Sequence, residues 1–244
     1  MMIKRKNPLR NPNRGQWTLN KKISKPVIIV NFKAYSEVDG GGALILAKIC
    51  ESVSEETGIS IVACPPMVEL AVVAKNVSIP VMSQNIDPYA PGSATGWVTP
   101  SMVKACGAAG TLINHSEHKI PKKQLGECVE LSKGIELTTV ICADNVQSAV
   151  QAAEFRPDYI AVEPPELIGG NVSVTTANPL IIEETVEAVK KVNGSISVLC
   201  GAGVKTGDDV RTAVELGASG VLLASGVVKA KDPRTVLLDL VKHL

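Results

Sequence analysis

The sequence predicts an α/β protein that folds as a single, closed (β/α)8 barrel. Eight short apolar runs alternate with eight helical patterns over most of the 244 residues, which suits parallel strands joined by right-handed crossovers. Apolar residues make up 45% of the chain, but aromatic residues only 3%. The core must therefore be built from Val, Ile, Leu and Ala, the composition of strands that helices cover on both faces.

The strands are predicted from their β-branched composition and the helices from their apolar periodicity. The predicted strands are 27–32, 59–63, 79–83, 111–114, 137–141, 158–162, 197–200 and 219–224. The predicted helices are 41–57, 65–75, 99–108, 121–133, 144–154, 176–193, 206–216 and about 233 to the end. Helix-start signals support several of them: Asp144 and Thr206 suit N-caps, and Pro121 suits a first turn.

An open, doubly wound parallel sheet is the alternative arrangement of the same units. Such sheets often carry a glycine-rich phosphate-binding turn after the first strand. Here the first predicted strand ends in Asn31-Phe32-Lys33, and no G-x-G-x-x-G motif follows it. No internal linker interrupts the alternation, so we expect one barrel domain over residues 25–244.

Residues 1–24 differ in charge from the rest of the chain. They carry seven Lys or Arg residues and no acid, so the remainder has a formal charge of −6, against +1 for the whole chain. We expect a disordered basic extension or the product of an upstream start codon, with a targeting segment as the alternative. The acidic body gives no reason to expect nucleic-acid binding, and no apolar run is long enough to cross a membrane.

The six cysteines have neither Cys-x-x-Cys pairing nor the spacing of a zinc site, and most lie inside apolar runs. They stand at positions 50, 64, 106, 128, 142 and 200. This pattern predicts reduced, buried thiols in a cytoplasmic protein without a bound metal.

Three predicted strand ends carry side chains suited to catalysis. In a barrel of this kind the active site forms at the carboxyl ends of the strands, where Lys33, His115 and Glu163 follow the first, fourth and sixth strands. A single Lys or His there is often a surface charge or a structural residue. Glu163, however, follows the apolar run 160–162, where a charge is costly. Together on one rim, the three predict a catalytic site.

Two turns of small residues predict a phosphate-binding site. Gly201-Ala202-Gly203 follows the seventh predicted strand and Ala224-Ser225-Gly226 the eighth, each ahead of a helical pattern. Backbone N–H groups can approach an anion closely there, and helix N-termini attract anions. These are the loops that bind phosphate in many barrels. Ordinary tight turns are the alternative, and the pattern does not name a reaction.

The segment 164–171, which follows Glu163, has the features of a lid over the site. Prolines stiffen its start at 164 and 165, glycines loosen its end at 169 and 170, and Leu167-Ile168 form an apolar tip. A lid needs hinges at both ends and a tip that covers the ligand. A plain surface loop is the alternative, which an exposed apolar pair opposes.

These motifs together resemble those of the triosephosphate isomerase family, over essentially all of residues 25–244. The resemblance rests on Asn31-Phe32-Lys33, Ser83-Gln84-Asn85, Thr95-Gly96, Asn114-His115-Ser116-Glu117, Ala161-Val162-Glu163-Pro164, the lid to Gly169 and the two small-residue turns. The short barrel and the lid sequence look like the archaeal-type branch, whose members are commonly homotetramers.

The resemblance implies a TIM barrel that interconverts dihydroxyacetone phosphate and D-glyceraldehyde 3-phosphate in glycolysis and gluconeogenesis, with no metal or organic cofactor. It implies Glu163 as the base and His115 as the electrophile. Lys33 and Asn31 would stabilise an enediolate, and Glu117 would pair with Lys33. The substrate contacts that it implies are Asn31, Phe32, Lys33, Ile168, Gly169, Gly203, Ala224 and Ser225.

Two other functions remain open at this point. One is a different phosphate-binding barrel, such as a ribulose-phosphate epimerase or an indole-forming lyase, and the other is a non-catalytic barrel that acts as an interaction subunit. Neither explains Asn31, Lys33, His115 and Glu163 together. The loop 86–97 is long for its position, and in the family this loop reaches a neighbouring subunit, so we expect a homodimer or homotetramer.

Overall fold

The computed structural model describes residues 22–164 and 179–244. Their strands pair in parallel in the order β2-β1-β8-β7-β6-β5-β4-β3. The strands are β1 (Val27–Asn31), β2 (Ser60–Cys64), β3 (Met82–Ser83), β4 (Gly110–Ile113), β5 (Thr138–Ala143), β6 (Tyr159–Val162), β7 (Ser197–Cys200) and β8 (Gly220–Leu223). The two end strands meet at a parallel bridge between Ala63 and Val81. The sheet therefore closes into the predicted (β/α)8 barrel.

Helices connect successive strands and cover the outside of the barrel. In the described part of the chain they are α1 (Gly42–Thr57), α2 (Leu70–Asn76), α3 (Pro100–Ala105), α4 (Lys122–Lys133), α5 (Val146–Ala153), α6 (Leu180–Val192), α7 (Gly207–Glu215), α8 (Ser225–Val228) and α9 (Pro233–Val241). A 3-10 helix (Ser36–Val38) lies ahead of α1. Residues 176–178 of one predicted helix lie outside the described residues. None of the helices described has both the length and the apolar character needed to cross a membrane.

The helix-start signals predicted where these helices begin, but not always which residue caps them. Thr206 caps α7 as predicted, in a capping box with Asp209. The cap of α5 is Asn145, which forms a capping box with Ser148, and not Asp144. The Asp144 carboxylate accepts from Lys119 Nζ at 2.6 Å. It is Asn145 Oδ1 that accepts from the first turn of the helix, from the Ser148 N–H at 2.9 Å.

Side chains alternate along each strand between two separate cores. Val27 and Ile29 belong to a cluster inside the barrel, whereas Ile28 and Val30 belong to the larger cluster between barrel and helices. Because the strand period is two residues, the next inward position on β1 is Asn31. By the same alternation, Glu163 follows the inward residue Ala161 of β6. The alternation thus brings polar groups to the inner edge of the barrel mouth.

The cysteines are free thiols, as predicted, and all but Cys106 are buried. Burial is the largest cause that raises the pKa of Cys50 and of Cys200 to about 12, because the charged thiolate is poorly solvated there. These thiols therefore stay protonated and contribute apolar packing.

Closure of the barrel between β8 and β1 requires glycine at position 220, which gives the first prediction. Gly220 has a φ of +140° and lies against Val27, whose amide nitrogen would be 2.6 Å from an added Cβ. We expect Gly220→Ala to lower the free energy of unfolding by about 3 kcal/mol or more, because the clash is with backbone.

Urea unfolding followed by circular dichroism measures this effect. Gly194→Ala is the matched control, because Gly194 has no atom within 4 Å of an added Cβ and should shift the stability by less than about 1 kcal/mol. Equal unfolding midpoints for the two variants would contradict the role assigned to Gly220.

Candidate active site

A cavity opens at the carboxyl ends of the strands, where the sequence predicts the site. It is lined by Asn31, Lys33, Tyr35, His115, Glu163, Gly201, Ala202, Gly203, Val204, Lys205, Leu222, Leu223, Ala224, Ser225 and Gly226. The predicted cation, imidazole and carboxylate therefore share one cavity with both small-residue turns. Residues from five strand ends meet here although they are distant in the sequence.

The turn after β1 holds the amine of the site. Lys33 has a φ of +51°, a strained conformation for a residue other than glycine. Asn31 Oδ1 accepts from the Lys33 backbone N–H at 3.0 Å, and Gln84 Nε2 donates to the Lys33 carbonyl at 2.9 Å and to the Cys64 carbonyl at 3.0 Å. Lys33 Nζ lies 2.6 Å from Glu117 Oε1. Amide side chains and a carboxylate thus fix this turn and its amine.

The turn after β4 fixes the orientation of the imidazole. His115 is buried, and its Nδ1 accepts from the backbone N–H of Glu117 at 3.2 Å. A nitrogen that accepts a hydrogen bond carries no proton, so a neutral ring carries its proton on Nε2. Nε2 lies 3.4 Å from Glu163 Oε1. The ring therefore presents an N–H donor to the cavity, next to a carboxylate acceptor.

The carboxylate at the end of β6 is buried in a tight space. Glu163 is 3% exposed, and its Oε2 has no hydrogen-bond partner among the described residues. A Cβ on Gly201 would collide with Glu163 Cγ and lie 3.2 Å from Cδ, so only glycine leaves room for this side chain. One carboxylate oxygen thus remains available to accept a proton from a ligand.

Cys142, on the inner face of β5, is a neighbour of the site that the sequence did not predict. Burial raises the pKa of the Cys142 thiol well above its usual value, and the nearby Glu163 carboxylate raises it further. The thiol therefore remains protonated beside the carboxylate. Nothing in the local sequence distinguishes Cys142 from its neighbours, because every residue of β5 after Thr138 is buried.

The two small-residue turns also line the cavity. Gly203 has a φ of +69°, which glycine adopts without strain. The backbone of Ala224 precedes the short helix α8, which begins at Ser225. N–H groups of a first helical turn have no acceptor within the helix, so the turn after β8 offers donors for an anion.

Three of the predicted substrate contacts, Phe32, Ile168 and Gly169, are not among the described residues that line this cavity. The side chain of Phe32 is fully buried in the core that faces the helices, so a substrate contact there would be made by its backbone and stays a prediction. Ile168 and Gly169, with the rest of the lid from residue 165 on, lie outside the described residues.

A larger cavity, of about 880 Å3, lies at the opposite, amino end of the strands. Its lining includes Lys25, Arg156 and Asp158 but no imidazole, and none of the predicted catalytic residues. No cluster of three or more His, Cys, Asp or Glu side chains in residues 22–164 and 179–244 is arranged to hold a metal ion. The mouth cavity is therefore the candidate active site, because it is the one of these two cavities in which an imidazole lies together with a carboxylate and an amine.

Comparison with known proteins gives the same family along the whole barrel. The family model for triosephosphate isomerase matches residues 26–244. The triosephosphate isomerase of Methanothermus fervidus is 46% identical over 91% of this chain and 100% of the relative. That of Methanocaldococcus jannaschii is 47% identical over 89% and 100%, and that of Methanothermobacter thermautotrophicus is 48% identical over 90% and 96%. This chain, with its (β/α)8 barrel and its polar mouth, belongs to the triosephosphate isomerase family.

Proposed function

We propose that this protein is an aldose–ketose isomerase that interconverts dihydroxyacetone phosphate and D-glyceraldehyde 3-phosphate, a step of glycolysis and gluconeogenesis. The observation that carries this proposal is the 3.4 Å approach of His115 Nε2 to Glu163 Oε1 in a cavity that also contains Lys33. An acceptor for a carbon-bound proton and a donor for the adjacent oxygen are the two groups that this isomerisation needs. Membership of the family supports the same substrate pair.

Glu163 is the proposed base. It removes a proton from the carbon next to the carbonyl group and returns it to the neighbouring carbon, so that an enediol or enediolate lies between the two sugars. Its burial supports this role, since the exclusion of water from a site strengthens the electrostatic interactions of the reacting groups. The oxygen that lacks a partner among the described residues, Oε2, supplies the acceptor.

His115 is the proposed electrophile, and it acts as a neutral donor through Nε2. This enzyme family is itself the standard example of a neutral histidine in that role. The hydrogen bond from the Glu117 N–H to Nδ1 supports the required tautomer here. Lys33 and Asn31 supply positive charge and hydrogen bonding at the developing oxyanion, and Glu117 orients the amine of Lys33.

The phosphate group is assigned to the backbone amides around Gly203, Ala224 and Ser225. Their place beside the catalytic groups, in one cavity, supports this assignment. Ile168 and Gly169 of the lid, with the backbone of Phe32, complete the proposed substrate contacts. A closed lid would exclude water, which protects an enediolate phosphate from losing its phosphate group.

A homodimer or homotetramer is the proposed assembly. The loop between β3 and α3 is clamped at its base, because Asp87 N–H donates to the Val98 carbonyl at 2.8 Å and Val98 N–H donates to Asp87 Oδ2 at 2.7 Å. Beyond this clamp, Tyr89 and Trp97 pack with ring centroids 4.9 Å apart and remain 38% and 48% exposed. A rigid loop that presents two of only seven aromatic residues is typical of a protein interface.

Residues 1–24 are proposed to be an extension that is not part of the barrel domain at 25–244. The family match, which begins at residue 26, supports this boundary. A cytoplasmic location is also proposed, and the free, mostly buried thiols support it.

The role of Glu163 gives the second prediction. We expect Glu163→Gln to lower kcat by about three orders of magnitude, because the amide cannot accept a proton, while KM changes little. A coupled assay with glyceraldehyde 3-phosphate measures both constants.

Glu187→Gln is the matched control, since Glu187 lies on the exposed face of α6, and it should leave kcat unchanged. Wild-type turnover in Glu163→Gln would refute the base. A wild-type protein that isomerises no triose phosphate would refute the proposed function as a whole.

The exposed aromatic pair gives the third prediction. Light scattering should give two or four times the subunit mass of 25.6 kDa, and Trp97→Lys should shift the protein towards smaller species, because a charge replaces an interface aromatic. Val192→Lys is the control, at an apolar side chain that is 44% exposed at the end of α6. An active wild-type monomer would contradict the proposed assembly.

A further inference from the structure

Asn114 lies between β4 and His115, and the proposed chemistry gives it no role. It has a φ of +63°, in the left-handed region that asparagine tolerates better than most residues. This conformation ends the strand sharply and turns the following residue, His115, towards the cavity. Asn114 itself does not line the cavity.

Both ends of the Asn114 amide are bound to backbone. Nδ2 donates to the Cys142 carbonyl of β5 at 3.0 Å, and Oδ1 accepts from the Ile120 N–H at 3.2 Å. The first bond connects the turn to β5 at Cys142, the residue whose thiol lies near Glu163. The second bond connects the beginning of the turn to its end. Residues 114–120 are therefore closed into a loop by one side chain.

The closed loop 114–120 contains the atoms that orient two groups of the site. Within it, the His118 N–H donates to the His115 carbonyl at 2.8 Å, and the Glu117 N–H donates to His115 Nδ1. The Glu117 carboxylate holds Lys33 Nζ. A shift of the Glu117 backbone would therefore disturb the imidazole and the amine together.

We propose that Asn114 is a positioning residue, whose amide fixes the loop 114–120 so that His115 keeps its proton on Nε2 and points it at the substrate. This inference rests on the proposed isomerase function. Asn114 acts through Glu117 and His115 and does not contact the substrate. Small misplacements of a catalytic donor are costly, of the order of 100-fold for about 1 Å.

Asn114→Gly tests the effect of the side-chain amide separately from that of the backbone conformation. Glycine can keep the left-handed turn, but the variant loses both side-chain hydrogen bonds. We expect kcat to fall about 10- to 100-fold while KM stays within about threefold, since the proposed phosphate contacts lie on other loops. Asn76→Ala is the matched control. It also removes an asparagine amide bond, from Asn76 Nδ2 to the Val72 carbonyl at 2.8 Å, and should leave both constants unchanged.

The tautomer of His115 gives a readout that a merely structural role would not change. The chain has three histidines, so nitrogen-15 NMR of the substrate-free protein can assign each ring. We expect wild type to carry the His115 proton on Nε2, and Asn114→Gly to show a mixture of the two tautomers. A wild-type kcat in this variant, or a reduced kcat with an unchanged tautomer, overturns the proposal.

Asn114→Asp keeps the test decisive if the glycine variant does not fold. The aspartate has the same shape and can still accept from the Ile120 N–H, but it replaces the donor to the Cys142 carbonyl with a second acceptor. We expect the same fall in kcat and the same mixed tautomer, and an unchanged His115 spectrum would again overturn the proposal. Failure of the isomerase function is distinguishable, because it would appear as an inactive wild type whose Nε2 tautomer still depends on Asn114.

Discussion

The site depends on one carboxylate that is kept buried at the rim of an apolar barrel. Removing a carboxylate from water costs several kcal/mol unless its surroundings compensate, and the pairing of β6 with β5 and β7 holds Glu163 there. Gly201 provides the space, since an added Cβ would collide with the carboxylate side chain. The protonated Cys142 thiol and the imidazole of His115 are its polar neighbours. Burial of this kind keeps the carboxylate of the proposed base away from bulk water.

The fold and most of the site were predictable because each depends on local sequence. Eight apolar runs gave the strands, and the barrel architecture puts their carboxyl ends on one rim, so Lys33, His115 and Glu163 could be expected to meet. The face of the sheet to which each side chain points was harder to predict. All five residues of β1 are buried, because helices cover the outside of the sheet, and such a strand has no polar alternation. Phe32, a substrate contact implied by the family resemblance, follows this strand with its side chain in the core that faces the helices.

Apart from the pairing of Lys33 with Glu117, which the resemblance implied, the contacts that orient the site were not predicted, because they join distant parts of the chain. Gln84 holds the Lys33 turn, and Asn114 is bound to a carbonyl 28 residues away. Both residues were visible as polar side chains at strand ends, yet their partners are known only once the strands are adjacent. The barrel therefore has two kinds of strand end. Amide side chains fix the turns after β1 and β4, which carry Lys33 and His115, whereas the turns after β7 and β8 consist of small residues that leave the backbone open.

The most direct test of this account is a crystal structure of the protein with 2-phosphoglycolate, which mimics the enediolate. The account predicts the ligand carboxylate within hydrogen-bonding distance of His115 Nε2 and Lys33 Nζ, with Glu163 against it and the phosphate on the amides around Gly203 and Ser225. The basic cavity at the amino end of the barrel offers the anion a real alternative. Binding there alone, with an empty mouth, would contradict the claim that these groups form one site.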